Sequence, residues 1–483
     1  MPSVSVTSPS AAIRADAVVV GVRSTKDGPR LTAGAEPVDE ALGGRLEAAL
    51  RTLGARGRAD EVVKVATLGL ADFPLVVGAG VGEDPSSAEA ARRAAGAAVR
   101  ALTGQRRVHL AMDAPAGALA EGALLGAYEF TAYKSSATKH ALRTISIAAS
   151  PSARADVRRA GVVAEAVGLT RDLVNTPPND LYPETFAARA AELATEQGLT
   201  VEVLDEKALK RGRYGGILGV GQGSVRPPRL VRISYRPARP KAHVALVGKG
   251  ITYDSGGLNL KTANLTWMKS DMGGAAAVIS SVLAIATLKI PVSVTVTVPM
   301  AENMPSATSY RPSDILTMRD GSTLEVGDTD AEGRIVLADA INRAAEDGPD
   351  YLIEASTLTG AQLVALGPRV IGAMGDPQWR DDVVAAGNAV GESAWAMPLP
   401  EELRATLDSP VADLVNVPGE RFGGMLVAGR FLGEFVPEGL PWVHLDIAGP
   451  AFNNGNARDY TPKGGTGAGV RTIIAAVEKL AAG

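Results

Sequence analysis

Carboxylates, an arginine and two glycines are concentrated in the segment Gly327–Arg334. In an α-helix, Asp330 and Glu332 would point about 200° apart, because the helix advances about 100° per residue. In an extended or turning segment, residues two apart point the same way, and glycine permits the close backbone approach that such a turn needs. Two carboxylates on one side of a turn suit a hard divalent cation. An ordinary surface turn has the same composition, so the segment alone leaves both interpretations open.

A second group of polar side chains follows the predicted strand Val244–Val247. Lys249 and Asp254 emerge there among glycines, and Lys261 and Asp271 follow before a long apolar run. Ligands of open α/β sheets bind outside the carboxyl ends of strands, so these groups lie where a site is expected. Taken singly, Asp271 also fits a helix N-cap and Lys261 an ordinary surface lysine.

Any metal centre in this chain must rely mainly on oxygen ligands. There is no cysteine, which excludes thiolate ligands and disulfides. The histidines lie far apart and in no metal-ligand spacing, which argues against zinc on a histidine pair; they are His109, His140, His243 and His444. Converging carboxylates would repel one another, and one or two divalent cations would relieve this. The candidates are Asp254, Asp271, Asp330 and Glu332.

Two glycine-rich segments resemble nucleotide-binding loops but lack the required context. Gly248–Gly250 contains a lysine, yet no Gly-Lys-Ser/Thr precedes a helix. Gly219–Ser224 is spaced like a dinucleotide fingerprint, but it follows no clear strand, and Pro227 and Pro228 interrupt any helix after it. We therefore predict a loop at Gly219–Ser224 and no nucleotide site at either segment.

Composition narrows the class of protein. The 483 residues exceed the size at which single cores stop growing, so two domains are expected. The net charge of 49 − 53 = −4 argues against a broad nucleic-acid or membrane-surface role. Met1–Ala17 lacks an apolar signal core, and we predict a frayed tail there. The apolar stretch Met272–Leu288 is interrupted by glycines and serines, which favours a buried core helix over a membrane span. A cytoplasmic protein is expected.

The first third alternates short β-branched runs with alanine-rich helices, which predicts a small α/β domain with a largely parallel sheet. The predicted strands are Ala17–Val22, Val63–Leu70, Leu75–Gly80, Val108–Met112 and Thr144–Ala149, and the helices are Glu40–Leu53, Ala88–Leu102 and Gly117–Tyr133. We place this domain at residues 1–150 and give it an assembly or regulatory role, because it carries no cluster of catalytic residue types. Residues 151–173 are expected to form a connecting helix.

Residues 174–483 are predicted to form a larger α/β domain with a central mixed sheet flanked by helices. The predicted strands are Val201–Leu204, Arg229–Tyr235, Val244–Val247, Val292–Val298, Tyr351–Glu354 and Trp442–Asp446. The predicted helices are Glu184–Glu196, Gly273–Leu288, Ile335–Glu346, Val427–Phe435 and Val470–Leu480.

Several ordered blocks of residues 160–483 resemble the leucyl aminopeptidase family, also called cytosol aminopeptidases. The blocks are Val247–Gly257, Lys269–Gly274, Asp328–Arg334, Asn175–Pro178, Thr357–Ala361, His444–Pro450 and Tyr460–Gly467. The first third resembles the family's N-terminal domain only loosely. The resemblance implies that residues 174–483 are a catalytic metallopeptidase domain.

The resemblance also implies a site with two divalent ions. Asp254 and Glu332 would bridge both ions, Asp330 would complete one site, and Lys249 and Asp271 would complete the other. Lys249 would have to be neutral, so its pKa would be lowered by burial beside two dications. A metal-bridging hydroxide would attack the peptide bond. Zn or Mn is expected, with Mg or Co as alternatives, because oxygen-rich sites accept several ions.

Further roles follow from the same resemblance. Lys261 would stabilise the tetrahedral intermediate, and Arg334 would hold a bicarbonate ion that relays the proton. The substrates would be peptides with a free N-terminus, whose amino group binds one metal. A mostly apolar pocket would favour Leu-like first residues; its residues are Met268, Thr357, Leu358, Gly360, Ala448 and Ala451.

Four departures from the family pattern bear on substrate and metal preference rather than on the reaction class. Asp328 stands where the family usually has Asn, and Tyr253 stands where Phe is common. The segment between Lys261 and Asp271 is one residue shorter than usual. The run Glu354–Ser356 also differs from the usual one.

Two other functions stay open beside the aminopeptidase. One is a related metal-dependent hydrolase acting on a specialised amide or thioester in a biosynthetic pathway. The other is DNA binding, for which the only support is small basic doublets, and the acidic balance argues against it. The family's usual assembly implies a homohexamer, a dimer of trimers, and no membrane partner is expected.

Overall fold

The chain folds into two compact units. The structure, a computed structural model, describes residues 1–136 and 141–482, so His140 lies outside the described residues. The first unit comprises Met1–Gly168 with Asn453–Lys463, and the second comprises Leu169–Phe452 with Gly464–Gly483. The division therefore falls inside the predicted connecting segment, and residues 453–463 group with the first unit rather than the second.

The first unit contains a largely parallel sheet, as predicted. Its strands are β1 Ser3–Thr7, β2 Ala17–Thr25, β3 Gly28–Leu31, β4 Val62–Ala66, β5 Leu75–Gly82, β6 Arg107–Ala111 and β7 Thr144–Ala148. Its helices are α1 Glu36–Ala41, α2 Leu46–Thr52, α3 Ala88–Arg100 and α4 Ala116–Gly126, and α5 Arg154–Asn175 continues into the second unit. The strand order is β1-β7-β6-β2-β5-β4, with β3 on β2. Strand β3 is antiparallel to β2, and β4 is antiparallel to β5. The other pairs among these strands are parallel.

Three predictions for this unit were wrong. Residues Ser3–Thr7 do not fray: they form edge strand β1, parallel to β7, and their alternation of serine and valine is the period of a half-buried strand. The single helix predicted at Glu40–Leu53 is two helices, because Gly43 and Gly44 both adopt positive φ between them. The helix predicted to reach Tyr133 ends at Gly126.

The second unit is built on a mixed sheet flanked by helices, which confirms the predicted fold class. Its strands are β8 Thr200–Leu204, β9 Arg229–Tyr235, β10 His243–Gly248, β11 Gly250–Asp254, β12 Ser293–Asn303, β13 Ile315–Thr317, β14 Thr323–Glu325, β15 Tyr351–Ser356, β16 Ile371–Gly375, β17 Ala394–Ala396, β18 Leu414–Val415, β19 Trp442–Asp446, β20 Phe452–Asn453 and β21 Gly464–Gly465. Its helices are α6 Pro183–Glu196, α7 Glu206–Arg211, α8 Gly215–Gly221, α9 Gly273–Thr287, α10 Glu332–Ala345, α11 Gly360–Leu366, α12 Pro377–Ala389, α13 Gly424–Gly433 and α14 Val470–Ala482.

The large sheet has the order β17-β16-β19-β15-β10-β12-β9-β8, with β11 paired to the end of β12. Its central strands β12, β10, β15 and β19 are parallel, so their carboxyl ends lie along one edge. These strands read as nearly continuous apolar runs because helices cover both faces. Strand β11, which was not predicted, carries Asp254 to that edge.

The segment Gly219–Ser224, predicted as a loop, is partly helical. Helix α8 runs from Gly215 to Gly221 and ends before the two prolines. Its glycines serve close packing, since a Cβ on Gly215 would lie 1.9 Å from the carbonyl oxygen of Thr317. The region 371–396, which was not assigned any element, contains β16, α12 and β17.

Helix α9 is the core helix expected from its composition. Every residue from Gly273 to Ile285 is buried. Within the described part of the chain, the helical stretch Leu265–Thr287 is long and apolar enough to cross a membrane, but 89% of its apolar window is buried inside the protein. The glycines at its start allow it to lie close to β15: a Cβ on Gly274 would stand 1.9 Å from the carbonyl oxygen of Ala355.

We expect Gly274→Ala to destabilise the protein by about 1–3 kcal/mol or more, because the added methyl group overlaps backbone that cannot move alone. Thermal unfolding by calorimetry measures this. The matched control is Gly161→Ala in α5, where a Cβ would meet nothing within 4 Å. That variant should gain up to about 1 kcal/mol from helix propensity. Equal midpoints for Gly274→Ala and the wild type would contradict the close approach.

Candidate active site

Three carboxylates from two segments meet at the edge formed by the ends of the parallel strands. Asp254 ends β11, Asp330 precedes α10, and Glu332 is the first residue of α10. One carboxylate oxygen from each of the three lies within 4.8 Å of the others. Helix α10 begins three residues earlier than predicted, so Glu332 is helical. Asp330 and Glu332 nevertheless face the same site, because only one of them lies in the helix.

Two lysines link these carboxylates in pairs. Lys249 Nζ lies 2.7 Å from Asp271 Oδ2 and 2.8 Å from Glu332 Oε1. Lys261 Nζ lies 2.7 Å from Asp254 Oδ2 and 2.5 Å from Asp330 Oδ1. The structure thus brings together all five residues predicted as metal ligands, and Lys261 with them. These are Lys249, Asp254, Asp271, Asp330 and Glu332.

Burial perturbs the protonation of these groups. Desolvation, reinforced by neighbouring carboxylates, raises the pKa of Asp271 well above its usual value and raises the pKa of Asp330 to about 7. Burial by itself lowers the pKa of Lys249, but the charges of Asp271 and Glu332 outweigh it and hold that pKa above its ordinary value. With protein charges alone, Lys249 is therefore a cation, and it could act as a metal ligand only if the charge of a bound cation lowered its pKa.

The donor set fits divalent cations. Asp271 Oδ2, Asp330 Oδ1 and Glu332 Oε1 are buried, and each lies within 2.8 Å of a lysine Nζ. Four carboxylates share two lysines here, so negative charge remains that a bound cation would offset. Carboxylates and one amine would hold hard or borderline ions, with Asp254 within reach of Asp330 and Glu332.

Neighbouring side chains fix the orientation of two of the carboxylates. Asp254 Oδ1 accepts hydrogen bonds from the Gly256 backbone N–H at 2.9 Å and from Asn303 Nδ2 at 2.8 Å. Asp271 Oδ1 accepts one from Thr357 Oγ1 at 2.7 Å. One oxygen of each carboxylate is therefore held by the protein, and the other faces a lysine.

Arg334 is a buried cation with donor capacity to spare. Only 8% of it is exposed, and burial lowers its pKa to about 10. Nη1 donates to the backbone oxygen of Asn416 at 2.7 Å, whereas Nε has no hydrogen-bond partner among the described residues. Such a group can accommodate a small anion.

The residues predicted to line a substrate pocket divide into two sets. Thr357 contacts Asp271, and a Cβ on Gly273 would lie 3.4 Å from Ala451 Cβ and 3.6 Å from Thr357 Cγ2. The Leu358 and Ala448 N–H groups both donate to Asp446 Oδ1, at 3.2 Å each. These four residues therefore belong to one neighbourhood.

Met268 and Gly360 are less directly tied to it. Met268 lies in a short 3₁₀ segment, and its carbonyl accepts the N–H of Asp271 at 3.3 Å. Gly360 is exposed at the start of α11.

Sequence reasoning missed several residues that hold the site. Asp446 ends the predicted strand β19, so the same strand-end rule could have indicated it. Asn416 is fully buried and comes from a short segment after β18 that has no sequence signal. Its side-chain amide accepts from the N–H groups of Gly327 and Asp328 and donates to the carbonyls of Asp328 and Ala331.

The described histidines pair with residues outside the carboxylate cluster. His444 forms an ion pair with Glu354, and both side chains are fully buried. His109 contacts Ser146 and His243 contacts Thr295, each at 2.9 Å. The carboxylate cluster itself involves Asp and Glu alone.

Comparison with known proteins assigns the family. Residues 168–474 match the family described as "Cytosol aminopeptidase family, catalytic domain", and residues 19–137 match its N-terminal domain. The catalytic-domain match alone covers more than half of the chain. The chain belongs to the cytosol aminopeptidase family. It is a metallo-exopeptidase of the leucyl aminopeptidase type, and the resemblance inferred from the sequence blocks is confirmed.

Relatives of similar length support this assignment. A "Probable cytosol aminopeptidase" of Streptomyces griseus is 50% identical over 507 residues, covering 99% of this chain and 98% of the relative. Another, from Micrococcus luteus, is 51% identical over 494 residues, covering 96% of each.

Solved structures share the whole fold. A tomato leucine aminopeptidase mutant is 31% identical with a TM-score of 0.89, covering 99% of this chain and 97% of that one. The "Bottromycin maturation enzyme BotP in complex with Mn" is 37% identical with a TM-score of 0.86, covering 97% of this chain and 100% of that one.

We expect Gly333→Ala to weaken divalent metal binding by about 10- to 100-fold, the range typical of disturbed ligand support. A Cβ there would lie 2.4 Å from Lys249 Cε and 2.6 Å from Lys249 Nζ, so the lysine would have to leave its place between Asp271 and Glu332. Calorimetric titration of the metal-free aminopeptidase with Mn²⁺ measures the effect.

Gly419→Ala is the control, because a Cβ there would meet nothing within 4 Å. A lower metal affinity in Gly333→Ala cannot be explained by helix propensity, because alanine favours a helix more than glycine does. Unchanged affinity in Gly333→Ala would contradict a role of this glycine in placing Lys249.

Proposed function

We propose that this aminopeptidase uses two divalent ions to release apolar, Leu-like residues from the N-terminus of peptides. The observation that carries the proposal is the group of four carboxylates that share two lysines, Lys249 and Lys261. Oxygens of Asp254, Asp330 and Glu332 lie within 4.8 Å of one another, which suits one ion, and Lys249 with Asp271 beside Glu332 suits a second.

The ligand roles are those that the resemblance to the leucyl aminopeptidase family implies. Asp254 and Glu332 would be shared between the ions, Asp330 would complete one site, and Lys249 with Asp271 would complete the other. Two ions held there supply a water of lowered pKa and polarise the substrate carbonyl. Because Lys249 is a cation when protein charges act alone, ion binding must release its proton. Metal affinity should therefore rise with pH.

Lys261 and Arg334 have charges suited to the reaction. We assign Lys261 to stabilising the negative charge that develops on the carbonyl oxygen, because it is a cation within 2.7 Å of two ligands. We assign Arg334 to holding bicarbonate, which would move a proton in place of a histidine or glutamate base. A bicarbonate dependence of kcat, present in the wild type and lost in Arg334→Ala, tests this role.

The proposed pocket suits an apolar side chain of moderate size. Thr357, Leu358 and Ala448 are small or apolar and lie beside Asp271 or Asp446, and Ala451 lies close to Gly273. Met268 and Gly360 complete the proposed lining. Metal identity stays a choice among Zn, Mn, Mg and Co, and the complex of BotP with Mn favours Mn.

We further propose a homohexamer, a dimer of trimers, with residues 1–150 serving assembly or regulation. Light scattering at several concentrations tests the hexamer, and a monomer would remove it. A cytoplasmic location is supported by the names of the relatives. Nucleic acid is not proposed as a partner.

A second candidate is maturation of a specialised peptide. It is favoured by the 37% identity to a bottromycin maturation enzyme and by Asp328, which adds negative charge beside the proposed ligands. The 50% identity to cytosol aminopeptidases favours the general peptidase.

Glu332→Ala should abolish cleavage of leucine p-nitroanilide and lower bound metal by at least about half, because it removes the carboxylate proposed to bridge both ions. Activity and metal content by mass spectrometry measure this. The control is Glu420→Ala, an exposed carboxylate outside the site. Glu332→Gln separates loss of charge from loss of packing if the alanine variant fails to fold. Full activity and full metal content in Glu332→Gln would sink the dinuclear proposal.

A dipeptide panel should separate the two candidate functions. Peptides beginning with Leu or Met should be cleaved with kcat/KM at least about 10-fold above those beginning with Asp, because burying a charge in an apolar pocket is unfavourable. Liquid chromatography of the released amino acids measures this. Turnover of one elaborate peptide with none of the simple dipeptides would favour the specialised enzyme.

A further inference from the structure

Thr329 lies between two acidic residues and is fully buried, with an exposed fraction of 0%. Its neighbours are Asp328 and the proposed ligand Asp330. Most fully buried threonine hydroxyls are hydrogen-bonded within the protein. The partners of Thr329 show which segments it joins.

The hydroxyl binds the loop that carries Lys261. Thr329 Oγ1 accepts a hydrogen bond from the Asn259 backbone N–H at 2.8 Å. Its own proton can go to the Gly256 carbonyl at 2.7 Å or to Asn259 Oδ1 at 2.9 Å. Asn259 Oδ1 also accepts the Thr329 backbone N–H at 3.1 Å. The two residues are thus paired in both directions.

The loop has few other attachments near Lys261. Leu258, Asn259 and Leu260 before the lysine are exposed, and so are residues 262–266 after it. The Lys261 N–H donates to the Ser255 carbonyl at 2.9 Å. The position of the lysine backbone therefore depends on this bond and on the pairing of Asn259 with Thr329.

The backbone carbonyl of Thr329 binds the opposite side of the site. It accepts hydrogen bonds from Tyr310 Oη at 2.7 Å and from Asn303 Nδ2 at 2.9 Å. Asn303 Nδ2 also donates to Asp254 Oδ1. The N–H, carbonyl and hydroxyl of Thr329 are all bonded, and they connect the segments that carry Asp254, Asp330 and Lys261.

We propose that Thr329 is a positioning residue that sets the distance of Lys261 from the metal-ligand carboxylates. The inference rests on the proposed function, since it assigns Lys261 the stabilising role described above. A misplacement on the order of 1 Å costs about 100-fold in rate. The hydroxyl of Thr329 prevents such a misplacement because it bonds the loop that carries Lys261, and Thr329 itself directly precedes Asp330.

Thr329→Val keeps the shape of the side chain and removes the hydroxyl. We expect kcat for leucine p-nitroanilide to fall by about 10- to 100-fold. KM should stay within about threefold and bound metal should be unchanged, because no ligand is removed. Thr329→Ser restores the hydroxyl and should recover most of the lost kcat.

Hydrogen exchange gives a readout that is independent of activity. In Thr329→Val, the amides of residues 255–261 should exchange roughly tenfold faster, because the Asn259 N–H loses its acceptor. Amides of α10 should exchange at the wild-type rate. The same measurement in Thr329→Ser should resemble the wild type.

The control is Thr297→Val, the same change at another fully buried threonine, whose hydroxyl has no hydrogen-bond partner among the described residues. It should keep wild-type activity and exchange. In a Lys261→Ala background, Thr329→Val should lower kcat by less than about threefold, because residues that act together are not additive.

The outcomes separate the two proposals. If the wild type is active and Thr329→Val has the same kcat and exchange rates as Thr297→Val, the positioning role alone is overturned. Equal losses from Thr329→Val with and without Lys261 would overturn it too. An inactive wild type would overturn the proposed function and the catalytic meaning of the lysine, and hydrogen exchange would still show whether the hydroxyl holds the loop.

Discussion

Mutual repulsion among buried carboxylates is the constraint on which the rest of this structure depends. Asp254, Asp271 and Glu332 are almost fully buried, and like charges in a poorly solvated site destabilise one another. The two lysines offset this repulsion by lying between carboxylate pairs, but two lysines balance only two of the four carboxylates. The fold therefore holds these groups in an arrangement that favours further positive charge. Metal binding and folding are linked in such a site, because the ligand that relieves the strain binds only the folded chain.

Strand ends and closely packed helices hold the carboxylates and lysines of the site in place. Parallel strands end at one edge, and each end delivers one part of the site: Asp254 from β11, Thr357 just after β15 and Asp446 from β19. Close packing fixes the rest, since α9 approaches β15 through Gly274 and α10 leaves room for Lys249 at Gly333. Both glycines serve contact rather than flexibility, because neither has a positive φ. Sites built on strand ends and helix starts keep their geometry better than sites on free loops.

The sequence predicted most of the fold because its elements are long and periodic. The strands Arg229–Tyr235 and Trp442–Asp446 were predicted at their observed bounds, and the apolar pattern of α9 indicated a core helix. Strand β1 was missed because five residues at an edge carry a weak pattern, and α8 was missed because glycines that pack closely look like those of a loop. The charged residues of the site were found because strand ends and spacing mark them. The residues that hold these charged groups in place were not predicted. Asn416 and Asn259 contact the 327–331 segment across long separations in sequence.

Asp328 shows that the type of a residue does not by itself predict its contacts. The resemblance to the leucyl aminopeptidase family predicts an amide at this position, where this chain has a carboxylate. Its Oδ1 accepts the N–H of Asp330 at 2.8 Å, a turn that an asparagine oxygen would make equally well. The turn therefore accounts for a short polar side chain but not for its charge. The charge acts on Arg334, whose pKa burial lowers while Glu332, Asp446 and Asp328 raise it. An extra carboxylate near this guanidinium stabilises the buried cation and, by the same field, weakens its attraction for an anion. The Asp328 carboxylate thus joins Glu332 and Asp446 in offsetting the burial of the Arg334 guanidinium.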